Sequence, residues 1–513
     1  MGVEVESAAR SRALSFLINP FLHVLSLVVF GFFDLVDQLL CPVFLYLDWL
    51  LDRREGSCYC HGESSDFELG KERLPLSGAR VVSDCEFWDG HSETLYSRKR
   101  KHGRSRVHFL ALHRSLSAEA AEPLRFLNSR SAGRITGGNL LRNRFNSVSL
   151  DRGLASSVEK KLSVDSGVLP HGLSSEKSLF RHESPERSPL KARWSDCGCT
   201  TCTAWHTSED LYVRLGGRGA TESSCVDGDD SENNVIFIHG FLSSSSFWSE
   251  TVFPEFSDSL KSTHRLFAVD VLGFGKSPKP TNCHYSNADH VEMIRKSVID
   301  RYKLKKYHIV AHSMGCTIAL SLAGQDPSAV RSVTLVSPPY YPAMPGSQPS
   351  SHILWKVAPR KIWPVFAFGP SFMSWYEHLG RVVCLVVCKN HRFWEPVMSF
   401  TLNKILRWRV PHFLVHDFMQ HTHNTAWHIF HNTICSGAYT AEWSMKALEK
   451  AGKHVRVIHG DNDNICPLQC GLDLEKNYSN VSLSTIPGAN HINILLGREK
   501  QMAQELEEEF CRL

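Results

Sequence analysis

The stretch Ile309-Val310-Ala311-His312-Ser313-Met314-Gly315-Cys316 constrains this chain more than any other. The apolar residues from Tyr307 to Ala311 read as a buried parallel strand. Behind the serine, Gly315, Thr317, Ala319, Leu320, Leu322 and Ala323 read as a helix, small on one side and apolar on another. A serine on so sharp a strand-to-helix turn is the arrangement that presents a nucleophile. Such a turn crowds strand against helix, so small residues must flank the serine. Gly315 occupies one flank, and Ala311, a single methyl larger than the usual glycine, occupies the other. The turn predicts an exposed Ser313 hydroxyl and a Met314 backbone N–H aimed at a developing oxyanion. A plain helix start capped by Ser313 would show the same local pattern, so the choice falls to the rest of the chain.

From Asn233 onward the pattern is α/β. Val235-Ile236-Phe237-Ile238 is a continuous apolar run, as expected for a strand covered on both faces, and it ends in His239-Gly240-Phe241-Leu242. A glycine there lets the backbone turn so that the Phe241 N–H becomes a second oxyanion donor. Leu266 to Val269 is the next strand, followed by Asp270-Val271-Leu272-Gly273-Phe274-Gly275-Lys276-Ser277. Pro278 and Pro280 stand where a phosphate-binding helix would begin, which excludes a dinucleotide loop and leaves Asp270 as a structural carboxylate. Asn287 to Tyr302 reads as a helix, and Val333 to Val336 as the strand after the elbow helix.

The chain leaves the sheet at Ser337-Pro338-Pro339 and returns only at Val455-Arg456-Val457-Ile458. An insertion of that length reads as a helical lid over the serine, at about 338–450. Its first part carries Trp355, Trp363, Phe366, Phe368, Phe372 and Trp375, an aromatic load suited to a greasy substrate, although most of those rings are expected to pack among themselves. His412, His416, His421, His423, His428 and His431 crowd its later part. The glutamate of a zinc-protease motif is absent, so ordinary polar packing is the expectation for them.

The returning strand ends in His459-Gly460-Asp461-Asn462-Asp463. Either carboxylate could hold an imidazole; Asp463, farther into the loop, is assigned that part and Asp461 the capping of the turn. Val481 to Ile486 reads as the last strand, with Pro487-Gly488-Ala489-Asn490-His491 after it and a short helix from Arg498 to Cys511. The chain order is therefore serine, acid, histidine.

Ahead of this domain the organisation is simpler. Residues 1–54 form a hydrophobic signal or membrane-anchor region, with apolar stretches at Leu14–Phe33 and Leu39–Leu51. A cleaved signal, an uncleaved anchor and a hairpin in the bilayer all fit that pattern. Leu39-Leu40-Cys41 places a cysteine directly after apolar residues, where lipidation is possible. Residues 55–96 have no clear assignment, and 97–193 form a basic, serine- and arginine-rich linker without sustained periodicity, expected to be disordered. A cysteine-containing lead-in spans 194–232. Its thiols Cys197, Cys199 and Cys202 could bind zinc, but a fourth ligand at normal spacing is missing, so no metal is expected. The net charge of +4 is small for 513 residues and its excess sits mostly in the linker, so it implies no nucleic-acid partner. The 16 cysteines are compatible with disulfides in an oxidising compartment, though no spacing establishes a pairing. The sequons at Asn477 and Asn480 permit glycosylation.

The phrases Phe237-Ile238-His239-Gly240-Phe241, Ala311-His312-Ser313-Met314-Gly315, Gly460-Asp461-Asn462-Asp463 and Gly488-Ala489-Asn490-His491 together resemble the α/β-hydrolase fold-1 superfamily, from Asn233 to the C-terminus. The resemblance implies a mostly parallel central sheet with an inserted helical lid. It also implies Ser313 as nucleophile, Asp463 as acid, His491 as base, and Phe241 with Met314 as oxyanion donors. Serine at the elbow argues against the aspartate-dependent epoxide hydrolases and haloalkane dehalogenases. The whole layout, including Cys197, Cys199 and Cys202 followed by Trp205, resembles the plant BODYGUARD proteins. That resemblance implies a lysophospholipase-like or cutin-related acyl hydrolase or transferase, acting on a lipid or cutin-precursor ester without a cofactor. It implies the secretory pathway, a cell-wall or plasma-membrane location and a part in cuticle formation. The alternative from another class is a non-catalytic lipid-binding receptor or scaffold on the same fold.

Overall fold

A computed structural model describes residues 2–52, 192–204, 208–218, 233–281, 283–342, 349–362 and 365–512. The segment 55–96, most of the basic linker and Trp205 lie outside the described residues. Seven strands form one sheet: β1 (Val213–Gly217), β2 (Asn234–Ile238), β3 (Arg265–Val269), β4 (Tyr307–His312), β5 (Val330–Val336), β6 (Val455–Gly460) and β7 (Val481–Ile486). Their order is β1-β3-β2-β4-β5-β6-β7, all parallel except β1, which runs antiparallel to β3. Strand β1 belongs to the cysteine-containing lead-in, so the sheet begins earlier than Asn233. At five residues and only half-buried on an edge, it is too short to show a period.

Alternation along the central strands loads both faces of the sheet. Ile236, Ile238, Phe267, Val269, Ile309 and Ala311 enter one apolar cluster. Val235, Phe237, Leu266, Ala268 and Val310 enter the other. This two-sided burial explains why the strands read as continuous apolar runs.

The chain steps outward from β2 to β3, then crosses back to place β4 on the other side of β2. Ligand crevices open at the carboxyl ends of strands where the winding direction reverses. Here that reversal sets the loop after β2 beside the loop after β4. The loops after β6 and β7 open at the same end of the sheet, because these strands run parallel to β4.

Between β5 and β6 the chain is helical, as expected: Pro349–Val357, Val365–Trp375, Glu377–Val386, His391–Phe400, His412–Met419, His423–His428 and Gly437–Lys450. The last of these packs on the elbow helix Gly315–Gln325, so it belongs to the layer covering the sheet rather than to the lid.

The two N-terminal apolar stretches lie on one continuous helix, Gly2–Leu47, extended by a wider turn at Asp48–Asp52. No hairpin forms. From Pro20 onward, one face of this helix docks on the lid. Arg360 binds Asp34 at 2.7 Å, the His378 N–H donates to Asp37 at 2.9 Å, and Arg381 binds Asp48. Phe33 packs edge-on against Phe372, and Phe30 against Phe368, so these lid aromatics pack on this helix as well as on each other. Trp363 lies outside the described residues. The opposite face exposes Phe21, Val24, Val28, Phe32, Leu35 and Leu39. Cys41 is 6 % exposed, so its thiol is not presented for acylation while the helix is docked.

Candidate active site

Ser313 sits at φ +53°, a left-handed conformation that costs a non-glycine residue about 1–3 kcal/mol. The turn sets the hydroxyl against His491, but Ser313 is only 9 % exposed, so the serine lies covered in this structure and not open as the turn predicts. A Cβ at Gly315 would lie 2.5 Å from the His239 carbonyl oxygen and 2.8 Å from that of Ile238, so the elbow helix can start only on glycine. Ala311, the departure from the usual pattern, is tolerated fully buried within β4.

His491 Nε2 lies 2.8 Å from Ser313 Oγ, and His491 Nδ1 lies 2.8 Å from Asp463 Oδ2. The other carboxylate oxygen of Asp463 accepts the backbone N–H groups of Ile465 and Cys466, each at 2.9 Å. Burial pushes the Asp463 carboxyl up, but the hydrogen bond from His491 and the two N–H groups outweigh it. Its pKa falls below the ordinary value and it stays ionised. Asp461 accepts the Gly488 N–H at 2.7 Å and caps the turn. The structure thus separates the two aspartates as expected, by which way each side chain faces.

The oxyanion loop is braced by His239, whose role no local motif in the chain signals. His239 Nε2 accepts the Val271 N–H at 3.0 Å, which leaves the proton on Nδ1, where it donates to the Gly240 carbonyl at 2.7 Å. Because the Gly240–Phe241 peptide is trans, anchoring its carbonyl turns the Phe241 N–H the opposite way. A Cβ at Gly240 would come within 3.1 Å of Ser313 Cβ, so this peptide lies directly beside the nucleophile. The Phe241 ring meets Phe274 and Phe430, forming an apolar wall there.

His312 also braces the site. It stacks on Phe247 and donates through Nε2 to the His491 carbonyl at 3.0 Å. Burial, then the neighbouring His491, pushes its pKa down to about 3, so it is a neutral positioning group. Its only sequence signal is its place next to Ser313.

Asp270 ties its loop, as expected: its carboxylate accepts the N–H groups of Ser245 and Lys276 at 2.6 and 2.7 Å. Lys279 is buried and donates to the Gly275 carbonyl at 2.6 Å, with burial lowering its pKa to about 7. In the lid, Glu395 receives His416 at 3.0 Å and His412 at 3.2 Å. His421 faces Cys384 and Cys388, while His391 faces Cys199 and Cys202, a partner no sequence spacing could have indicated. Asn480 donates to the Lys453 carbonyl, so that sequon's amide is engaged within the fold.

A family model for the alpha/beta hydrolase fold matches residues 233–497. The Arabidopsis thaliana protein named "Probable lysophospholipase BODYGUARD 3" is 35% identical over 496 residues, covering 95% of each chain. "Probable lysophospholipase BODYGUARD 2" of the same plant is 36% identical over 491 residues, covering 93% of this chain and 95% of its own. "Probable lysophospholipase BODYGUARD 1" is 34% identical over 496 residues, covering 93% and 94%.

Proposed function

The chain belongs to the BODYGUARD family of α/β-hydrolases and is a lysophospholipase-like hydrolase, and we propose from that premise that it cleaves lipid esters through Ser313, His491 and Asp463. The observation that carries this reading is the His491 ring, bridging hydroxyl and carboxylate at 2.8 Å on each side. Ser313 Oγ attacks the acyl carbonyl carbon while His491 Nε2 takes its proton. The carbonyl oxygen becomes an oxyanion held by the N–H groups of Phe241 and Met314. Asp463 keeps His491 in the required tautomer and stabilises the imidazolium. As the tetrahedral intermediate collapses, the C–O bond to the leaving alcohol breaks and His491 delivers the proton to that alcohol. Water then attacks the acyl-serine with His491 as base, releasing the fatty acid and restoring Ser313. An alcohol in place of water would make the same machinery an acyltransferase.

The substrate class proposed is a single-chain lysophospholipid or a hydroxy-fatty-acid ester of the kind that builds cuticle, supported by the family and by the apolar wall at Phe241, Phe274 and Phe430. The proposed location is a membrane or cell-wall surface entered through the secretory pathway. The support is the N-terminal helix, apolar from Pro20 to Asp52, which turns its carboxylates to the lid and its greasy face outward. Those carboxylate contacts favour a retained helix over a cleaved signal.

Labelling of the purified chain by a fluorophosphonate probe, with Ser313→Ala alongside, tests the reading. Label that disappears in the variant, with turnover of lysophospholipids or hydroxy-fatty-acid esters, is the expected result. A folded wild type that takes no label and turns over neither ester would leave a lipid-binding receptor instead.

A further inference from the structure

The acyl chemistry leaves unused two groups of thiols and imidazoles. In the first, the Sγ atoms of Cys197, Cys199 and Cys202 and a ring nitrogen of His391 all lie within 4.8 Å of one another. In the second, Cys384, Cys388 and His421 meet the same condition. His391 Nε2 stands 3.6 Å from both Cys199 Sγ and Cys202 Sγ. His421 Nε2 stands 3.7 Å from Cys384 Sγ and 3.6 Å from Cys388 Sγ.

These distances discriminate. One imidazole nitrogen carries a single proton or a single lone pair and serves one hydrogen-bond partner well. Two sulfurs equally spaced about it is instead the edge pattern of a tetrahedron. With Zn–S of about 2.3 Å and Zn–N of about 2.05 Å, sulfur and nitrogen on one tetrahedral zinc lie about 3.6 Å apart. Both clusters repeat that spacing independently.

The surroundings prepare the same donors. His421 Nδ1 donates to the Phe418 carbonyl at 2.7 Å, so its Nε2 lone pair faces the thiols. His391 Nδ1 faces the Glu395 carboxylate at 3.9 Å, on the side away from the sulfurs. The Cys202 N–H donates to Cys199 Sγ at 3.5 Å, a contact that favours a thiolate.

We propose that Cys197, Cys199, Cys202 and His391 bind one structural zinc ion, and that Cys384, Cys388 and His421 bind a second. Four protein donors close the first site, which leaves no position for substrate and assigns it a structural part. The second has three protein donors, which leaves its fourth position to a water. Each thiol that binds releases its proton to solvent, and no electron changes hands. The first ion would clamp the lead-in to the lid helix His391–Phe400. The second would pin the end of helix Glu377–Val386 to the turn before His423.

The test is the metal content of the full chain after dialysis against metal-free buffer, read by elemental mass spectrometry. Two zinc ions per chain are expected, falling to one in Cys199→Ser with Cys202→Ser and to one in Cys384→Ser with Cys388→Ser. If those variants fail to fold, the wild type decides. Mercurial titration should release zinc in step with thiol modification, and cobalt replacement should give the charge-transfer absorption of tetrahedral thiolate ligation. A folded wild type that retains no zinc, or whose clustered cysteines are found as disulfides, would overturn the proposal. Retention of a single ion lost only with the first pair would overturn the second site and keep the first.

Discussion

Asp48 and Arg381, 333 residues apart, form a buried two-pronged ion pair, with Nη1 to Oδ2 at 2.8 Å and Nη2 to Oδ1 at 2.5 Å. Trp194 Nε1 donates to the same carboxylate at 2.6 Å, and the guanidinium lies 4.7 Å over the Phe44 ring. The pair therefore joins the N-terminal helix, the lead-in and the lid at one point.

Removing Arg381 takes away the two-pronged partner of the buried Asp48 carboxylate and leaves Arg193 as its counter-ion, at 3.0 Å. Arg381→Ala is expected to cost up to about 3 kcal/mol of stability, less than a charge left wholly unpaired would cost. The exposed pair Arg214–Glu250 serves as the control, where Arg214→Ala should cost less than about 1 kcal/mol. Denaturant titration reads both values, and hydrogen exchange should rise across residues 20–52 only in the first variant.

Ser313, His491 and Asp463 act as one unit in the proposed mechanism, so their losses should not add. Ser313→Ala and His491→Ala are each expected to lower ester turnover by about 10⁵-fold or more, with the double variant no worse than either. Additive losses in kcat would mean that the two groups act separately.

His239 never touches substrate in this reading; it positions the Gly240–Phe241 peptide. His239→Ala should lower kcat by about 10²-fold with little change in KM, the signature of a lost oxyanion donor. An equal fall in thermal stability of His308→Ala, a buried histidine bonded to Ser332 Oγ at 2.8 Å at the end of β4 far from Ser313, without that kcat effect would separate positioning from packing. A rise in KM alone at His239→Ala would count against the peptide's oxyanion part.

The buried carboxylates predict opposite pH responses. Asp463, held below the ordinary value, contributes stability that is present above about pH 4 and lost as pH falls through its folded pKa. Asp417, bonded to Ser244 at 2.6 Å, is pushed by burial up to about 7. Its native state holds a proton that the unfolded chain has released, so stability should fall as pH rises from about 4 to about 7. Asp417→Asn should flatten that fall and Asp463→Asn should blunt the acid loss, both measurable as melting temperature against pH.

The strands, the elbow and the order serine, acid, histidine were legible because each is local. An apolar run, a small residue two places from a serine, or a carboxylate at a strand end needs only a few neighbours to be recognised. The edge strand β1 escaped because five half-buried residues carry too little pattern. The lid's outline was visible from its length, but its last helix proved to cover the sheet, since packing on Gly315–Gln325 is decided across more than a hundred residues.

The parallel strands, the elbow and the order of serine, acid and histidine along them could be read from the sequence, because short-range sterics and burial period dictate them. That His239 and His312 brace the site, which wall the lid aromatics meet, and that His391 lies against the thiols of Cys197, Cys199 and Cys202 were decided only by tertiary structure. The reason is physical. These relationships join residues on separate elements, and their geometry depends on how those elements pack, which no local period in the chain records.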